Sequence, residues 1–89
     1  MNGMRLNIIN EKGLHARASA KFVEVVEAHD ASALVEKDGM SVSGDSIMGL
    51  LMLAASKGTS IEISTEGPEA ENLALALKHL VENRFGEDS

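Results

Sequence analysis

Ser32-Ala33-Leu34-Val35-Glu36-Lys37-Asp38-Gly39-Met40-Ser41-Val42-Ser43 is the stretch that decides the fold. Residues 32–36 and 40–43 are short strand-forming runs, and the Asp-Gly pair between them tolerates the positive φ of a tight hairpin turn. They predict an antiparallel pair. Upstream, Met4-Arg5-Leu6-Asn7-Ile8 alternates apolar and polar side chains, the period of a strand with one buried face, and Asn10-Glu11-Lys12-Gly13 closes it with a turn signal. Downstream, Ser60-Ile61-Glu62-Ile63-Ser64 alternates in the same way. Helical patterns fill the gaps. In residues 16–28, Ala18, Phe22, Val25 and Val26 fall on one side with Ser19 and Val23 flanking, which leaves Lys21, Glu24 and Glu27 to water. Residues 47–55 follow the break Gly44-Asp45-Ser46, which offers good N-cap side chains, and stop at Lys57-Gly58. Gly67-Pro68-Glu69 starts the last helix with proline at the first helical position, and Leu73, Leu77, Leu80 and Val81 follow at helical spacing. Phe85-Gly86 ends that run, and the acidic end Glu87-Asp88-Ser89 reads as a fraying tail.

The order strand, helix, strand, strand, helix, strand, helix predicts an α+β fold. Its form is a two-layer open-faced sandwich: a four-stranded, mostly antiparallel sheet with three helices on one face (βαββαβα). The 89 residues suit one small domain, so residues 1–89 are read as a single unit. The second helix is apolar nearly all round. So short an element beside so small a sheet cannot hide every large side chain, and Ile47, Met48, Leu51 and Met52 are expected to stand partly exposed as an adaptable docking surface.

Composition removes several classes of function. Hydrophobic residues make up 44% of the chain but aromatics only 2%, so the core is aliphatic and no base-stacking platform is available. Eight basic residues against fourteen acidic ones, a net charge of −6, cannot displace counterions from a nucleic acid. With no cysteine there is no disulfide framework, thiol nucleophile or Cys-ligated zinc, as suits a reducing compartment. No apolar run approaches the roughly 18 to 20 residues that span a bilayer, so neither a membrane nor a nucleic acid is expected as partner, and a cytoplasmic location is expected.

The chemistry is concentrated in Lys12-Gly13-Leu14-His15-Ala16-Arg17-Ala18-Ser19. Gly13 relaxes the backbone just before the first helix, which places His15 at or just ahead of its first turn. An anion brought there meets the unpaired backbone N–H groups of Ala16, Arg17 and Ala18, the positive end of the helix dipole and the Arg17 guanidinium. Phosphate is the natural candidate. No Ser-His-Asp set, carboxylate pair or metal-ligand set can be assembled from the neighbours of His15, so neither a self-contained hydrolase nor a metal or other cofactor is expected. His29 and His79 lack any motif context and read as structural.

Gly13-Leu14-His15-Ala16-Arg17 and, about thirty residues later, Ser46-Ile47-Met48-Gly49, in this element order, resemble the HPr family, the histidine-containing phosphocarriers of the bacterial phosphoenolpyruvate-dependent phosphotransferase system. The resemblance covers essentially the whole chain. It implies that His15 accepts a phosphoryl group from phosphorylated enzyme I and passes it to an enzyme IIA component, with Arg17 close to the phosphate. Such a protein is a carrier rather than an enzyme, expected to act as a monomer in sugar uptake or a regulatory branch. Ser46 falls where an HPr kinase/phosphorylase modifies part of the family, although an N-cap role explains the serine equally well. Ala18 stands where the family commonly has proline. The competing reading is a small non-catalytic interaction module that uses the exposed second helix.

Overall fold

Lys37 and Met40 are paired across a two-residue loop in which Asp38 (φ 51°) and Gly39 (φ 84°) both adopt left-handed backbone, the type I′ geometry that the right-handed twist of a hairpin favours. The structure, a computed structural model, describes residues 2–89. Strand β1 is Asn2–Asn7, β2 Ser32–Lys37, β3 Met40–Ser43 and β4 Ser60–Glu66; helix α1 is Ala16–Glu27, α2 Ile47–Met52 and α3 Ala70–Glu82, followed by a 3₁₀ turn, Arg84–Gly86. The sheet runs in the order β1-β4-β2-β3 with every neighbouring pair antiparallel, so the fold is a βαββαβα open-faced sandwich.

Alternation along the strands sorts the two faces. Ile61, Ile63 and Thr65 of β4 and Ala33 and Val35 of β2 point inward, while Glu62, Glu66, Leu34 and Glu36 point out. The helices cover the inner face. Ala18, Phe22 and Val26 of α1, spaced four apart, and Leu73, Leu77 and Val81 of α3 close the core against the strands. Phe22, Phe85, Ile8, Leu50 and Ile63 are wholly buried, each a side chain whose burial is worth about 1.5–3 kcal/mol. Of the buried polar groups, Ser19 donates to the Leu14 carbonyl (3.2 Å) and Thr65 to the Ala70 carbonyl (2.9 Å).

Four sequence expectations are corrected. The second helix stops at Met52 instead of reaching Ala55, because Ala54 turns left-handed (φ 52°) and cannot continue it. Pro68 does not open the last helix. Gly67, at φ 117°, lies against Ala31, and Glu69 becomes the N-cap residue, its N–H donating to the Asp30 carbonyl (3.0 Å) while its carboxylate accepts from the Asp30 N–H (2.6 Å). Lys21 is half-buried rather than solvated, its ammonium donating to the Phe85 carbonyl (2.7 Å). The tail is not free at its start: Glu87 is held by side chains of Asn10 and His15, while Asp88 and Ser89 are exposed.

Candidate functional site

The loop carrying His15 is rigid for reasons visible in each residue. Asn10, with no exposed surface, donates from Nδ2 to the Gly13 carbonyl (2.8 Å), and the Gly13 N–H returns a bond to the Asn10 carbonyl (3.1 Å). Gly13 adopts φ 63°, and a Cβ there would lie 2.5 Å from the Ala55 oxygen and 2.8 Å from Ser56 Cα, so both conformation and space call for glycine. The next residue explains the approach: the Leu14 N–H donates to that same Ala55 oxygen (2.8 Å). The histidine loop is thus fastened to the segment leaving α2, two residues past the helix's C-cap.

His15 is the N-cap residue of α1, extended at φ −76° and ψ −176°, as expected. Its carbonyl accepts the Ser19 N–H (2.8 Å), but its side chain does not cap the helix. The amides of Ala16, Arg17 and Ala18 therefore keep the unpaired character of a first turn, at the positive end of the helix dipole. Arg17 is exposed on that turn, and it lines, with Lys12, His15, Lys21 and residues 86–89, a cleft of about 330 Å³. A second recess, about 230 Å³, touches the other flank of the imidazole at Leu14, Ala54 and Ser56.

Sequence reasoning missed two members of the site. The Glu87 carboxylate accepts from Asn10 Nδ2 (2.9 Å) through one oxygen and faces His15 Nε2 with the other. Burial would push this carboxyl up, yet the hydrogen bonds from Asn10 and His15, with the charges of His15 and Lys12, hold it below the ordinary glutamate value. An ionised carboxylate can only accept, so Nε2 is the donor in this contact and Nδ1 is the ring nitrogen left to act as nucleophile. No local pattern could have found Glu87, which lies 72 residues from His15.

The apolar second helix behaves as its sequence suggests. Leu50 turns into the core, while Met48 (70% exposed) and Met52 (64%) project outward with Ile47 and Leu51 beside them. Ser46 is its N-cap, the hydroxyl accepting the Gly49 N–H at 3.0 Å. Of the other histidines, His29 bonds through Nδ1 to the Val25 carbonyl (2.7 Å) at the end of α1, and His79 is exposed on α3.

An open-faced sandwich with an accessible imidazole at an uncapped helix start, a neighbouring arginine and an apolar face close by defines a class of small phosphoryl-carrying proteins. A family model described as "PTS HPr component phosphorylation site" matches residues 4–83. The chain is 46% identical over 82 residues to phosphocarrier protein HPr of Neisseria meningitidis, covering 92% of each, and 44% identical over 88 residues to that of Pseudomonas aeruginosa, covering 98% of each. Among solved structures, HPr-C-His from Thermoanaerobacter tengcongensis superposes with a TM-score of 0.95 at 38% identity over the whole of both chains. HPr from Bacillus anthracis gives 0.86 at 39%, covering 90% of this chain and 95% of that one. The chain belongs to the HPr phosphocarrier family of the bacterial phosphotransferase system.

Proposed function

We propose that His15 takes a phosphoryl group from phosphorylated enzyme I and hands it to an enzyme IIA component, the chain itself being a stoichiometric carrier and not an enzyme. The observation that carries this reading is the position of His15: an N-cap residue that leaves three first-turn amides open, with the Arg17 guanidinium on the same turn. Transfer between two proteins asks of the carrier a nucleophile, charge stabilisation and access, and both its partners can supply the rest. Neutral imidazole attacks through Nδ1, and the amides of Ala16, Arg17 and Ala18 with the guanidinium receive the phosphoryl oxygens. Ile47, Met48, Leu51 and Met52 form the apolar part of the docking surface, tied to the histidine loop through the Leu14 to Ala55 bond. Both partners use it in turn, which suits flexible methionines.

Ser46 is proposed as a regulatory phosphorylation site for an HPr kinase/phosphorylase. A phosphate there adds about −1.5 to −2 charges beside the apolar face, where desolvating it opposes docking. The test of the central reading is incubation with labelled phosphoenolpyruvate and enzyme I. Label should enter wild type, His29→Ala and His79→Ala, should be released by acid as a phosphoimidazole is, and should be absent from His15→Ala; acid-stable label or label in His15→Ala refutes it.

A further inference from the structure

Behind α3 the chain reverses. Arg84 (φ 54°), Phe85 (φ 54°) and Gly86 (φ 78°) are left-handed in succession, two of them bearing side chains that resist this conformation. Burial of Phe85 and the Lys21 bond to its carbonyl hold the reversal in place, and its result is that Glu87 descends beside His15. The wholly buried amide of Asn10 then joins loop to tail, donating to both Gly13 and Glu87. Three cationic side chains, Lys12, Arg17 and Lys21, line the same cleft, and the Lys12 charge acts on the carboxylate. This tail lies outside residues 4–83, the span matched to the family.

We propose that Glu87 is a positioning residue for phosphoryl transfer: its carboxylate holds the His15 ring by the Nε2–H, presents the Nδ1 lone pair to phosphorus and stabilises the positive charge the ring gains. The inference rests on the phosphocarrier reading. As the Nδ1 lone pair forms the new N–P bond, the bond from phosphorus to the donor breaks and its electron pair leaves with the donor group. No proton leaves His15. The ring keeps its Nε2–H and becomes cationic, with part of that charge on the nitrogen facing Glu87, so the contact is stronger in the transition state than before it. On return transfer the same cation is the leaving group, and the carboxylate holds it in the form that departs as neutral imidazole.

The experiment is single-turnover transfer from enzyme I, phosphorylated by labelled phosphoenolpyruvate, to wild type, Glu87→Ala, Glu87→Gln and Glu82→Ala, the last removing the same charge from an exposed position on α3. At saturating donor, Glu87→Ala should slow transfer about ten- to a hundredfold with little change in half-saturation. Glu87→Gln, whose amide oxygen still accepts the Nε2–H without a charge, should lie between, and Glu82→Ala should match wild type. Nitrogen-15 NMR should show a slowly exchanging Nε2 proton on His15 in wild type that is lost in Glu87→Ala. A folded Glu87→Ala that transfers at or above the wild-type rate overturns the proposal; should that variant not fold, a wild-type rate in Glu87→Gln does so instead. Unlabelled wild-type protein would sink the phosphocarrier reading and the proposal with it, whereas labelled wild type with an indifferent Glu87 sinks the proposal alone.

Discussion

Gly13 is the residue on which the geometry of the site turns, because it alone lets the loop pass within contact of the Ala55 carbonyl. Gly13→Ala must either relieve a 2.5 Å approach or push the loop away, and it must keep a left-handed backbone as well. We expect a loss of roughly 1–3 kcal/mol, read as a lower midpoint in urea with an unchanged slope. Arg17 is the opposite case. It is exposed and accepts no structural duty among the described residues, so Arg17→Ala should leave the melting temperature within a degree or two while slowing transfer about ten- to a hundredfold. The placement of the glycine, the histidine and the arginine around the start of α1 was legible in the sequence because it follows from their own backbone and their immediate neighbours. Asn10 and Glu87 were not. Their roles depend on contacts 77 and 72 residues away, and an asparagine in a turn or an acid in a tail has an ordinary local explanation.

Elements were legible where a pattern repeats and illegible where another element sets the limit. The alternating strands and the four-residue spacing of α1 and α3 came through because each buries one face. The end of α2 could not be read from its own residues, since it comes where Ala54, a residue that favours helix, adopts a left-handed backbone, one residue before the Ala55 carbonyl meets the Leu14 N–H. At its start, Ser46→Ala removes the bond to the Gly49 N–H and should cost about 1 kcal/mol in melting experiments without affecting labelling of His15. Ser46→Asp separates stability from docking. Aspartate caps a helix as well as serine does, so the melting temperature should hold, while affinity for enzyme I should fall, and fall less at high salt. Equal affinity at both salt concentrations would reduce Ser46 to a cap.

Across the molecule, the tail contact couples the fold to pH. Glu87 has a folded pKa below its ordinary value of 4.5, so its contribution to stability is complete above that pH and is lost as pH falls through the lower, folded value. Against the upward push of burial, the hydrogen bonds from Asn10 and His15 lower this pKa first, and the charges of His15 and Lys12 add to them. Stability measured by urea unfolding should therefore drop below pH 4.5, and Glu87→Gln should flatten that part of the profile; an identical acid limb in the variant would show that other carboxylates carry it.

The pairing of β1 with β4, from Asn2 opposite Thr65 to Asn7 opposite Ser60, sets a timetable for acquiring function. Most of the chain must be looped out before those two strands can meet, and loop closure of that span is an entropic barrier to be crossed late or at the rate-limiting step. His15 hangs between the end of β1, the exit of α2 and the tail, so its long-range contacts, the Leu14 bond to Ala55 and those to Glu87, do not exist until the chain has closed on itself. In stopped-flow refolding, helical signal can rise early, but competence to accept phosphate should return only with the slowest phase that buries Phe85. Newly made chains would then be inert toward their partners until the whole sheet has formed, and a half-folded carrier could not capture a phosphoryl group that it is unable to deliver.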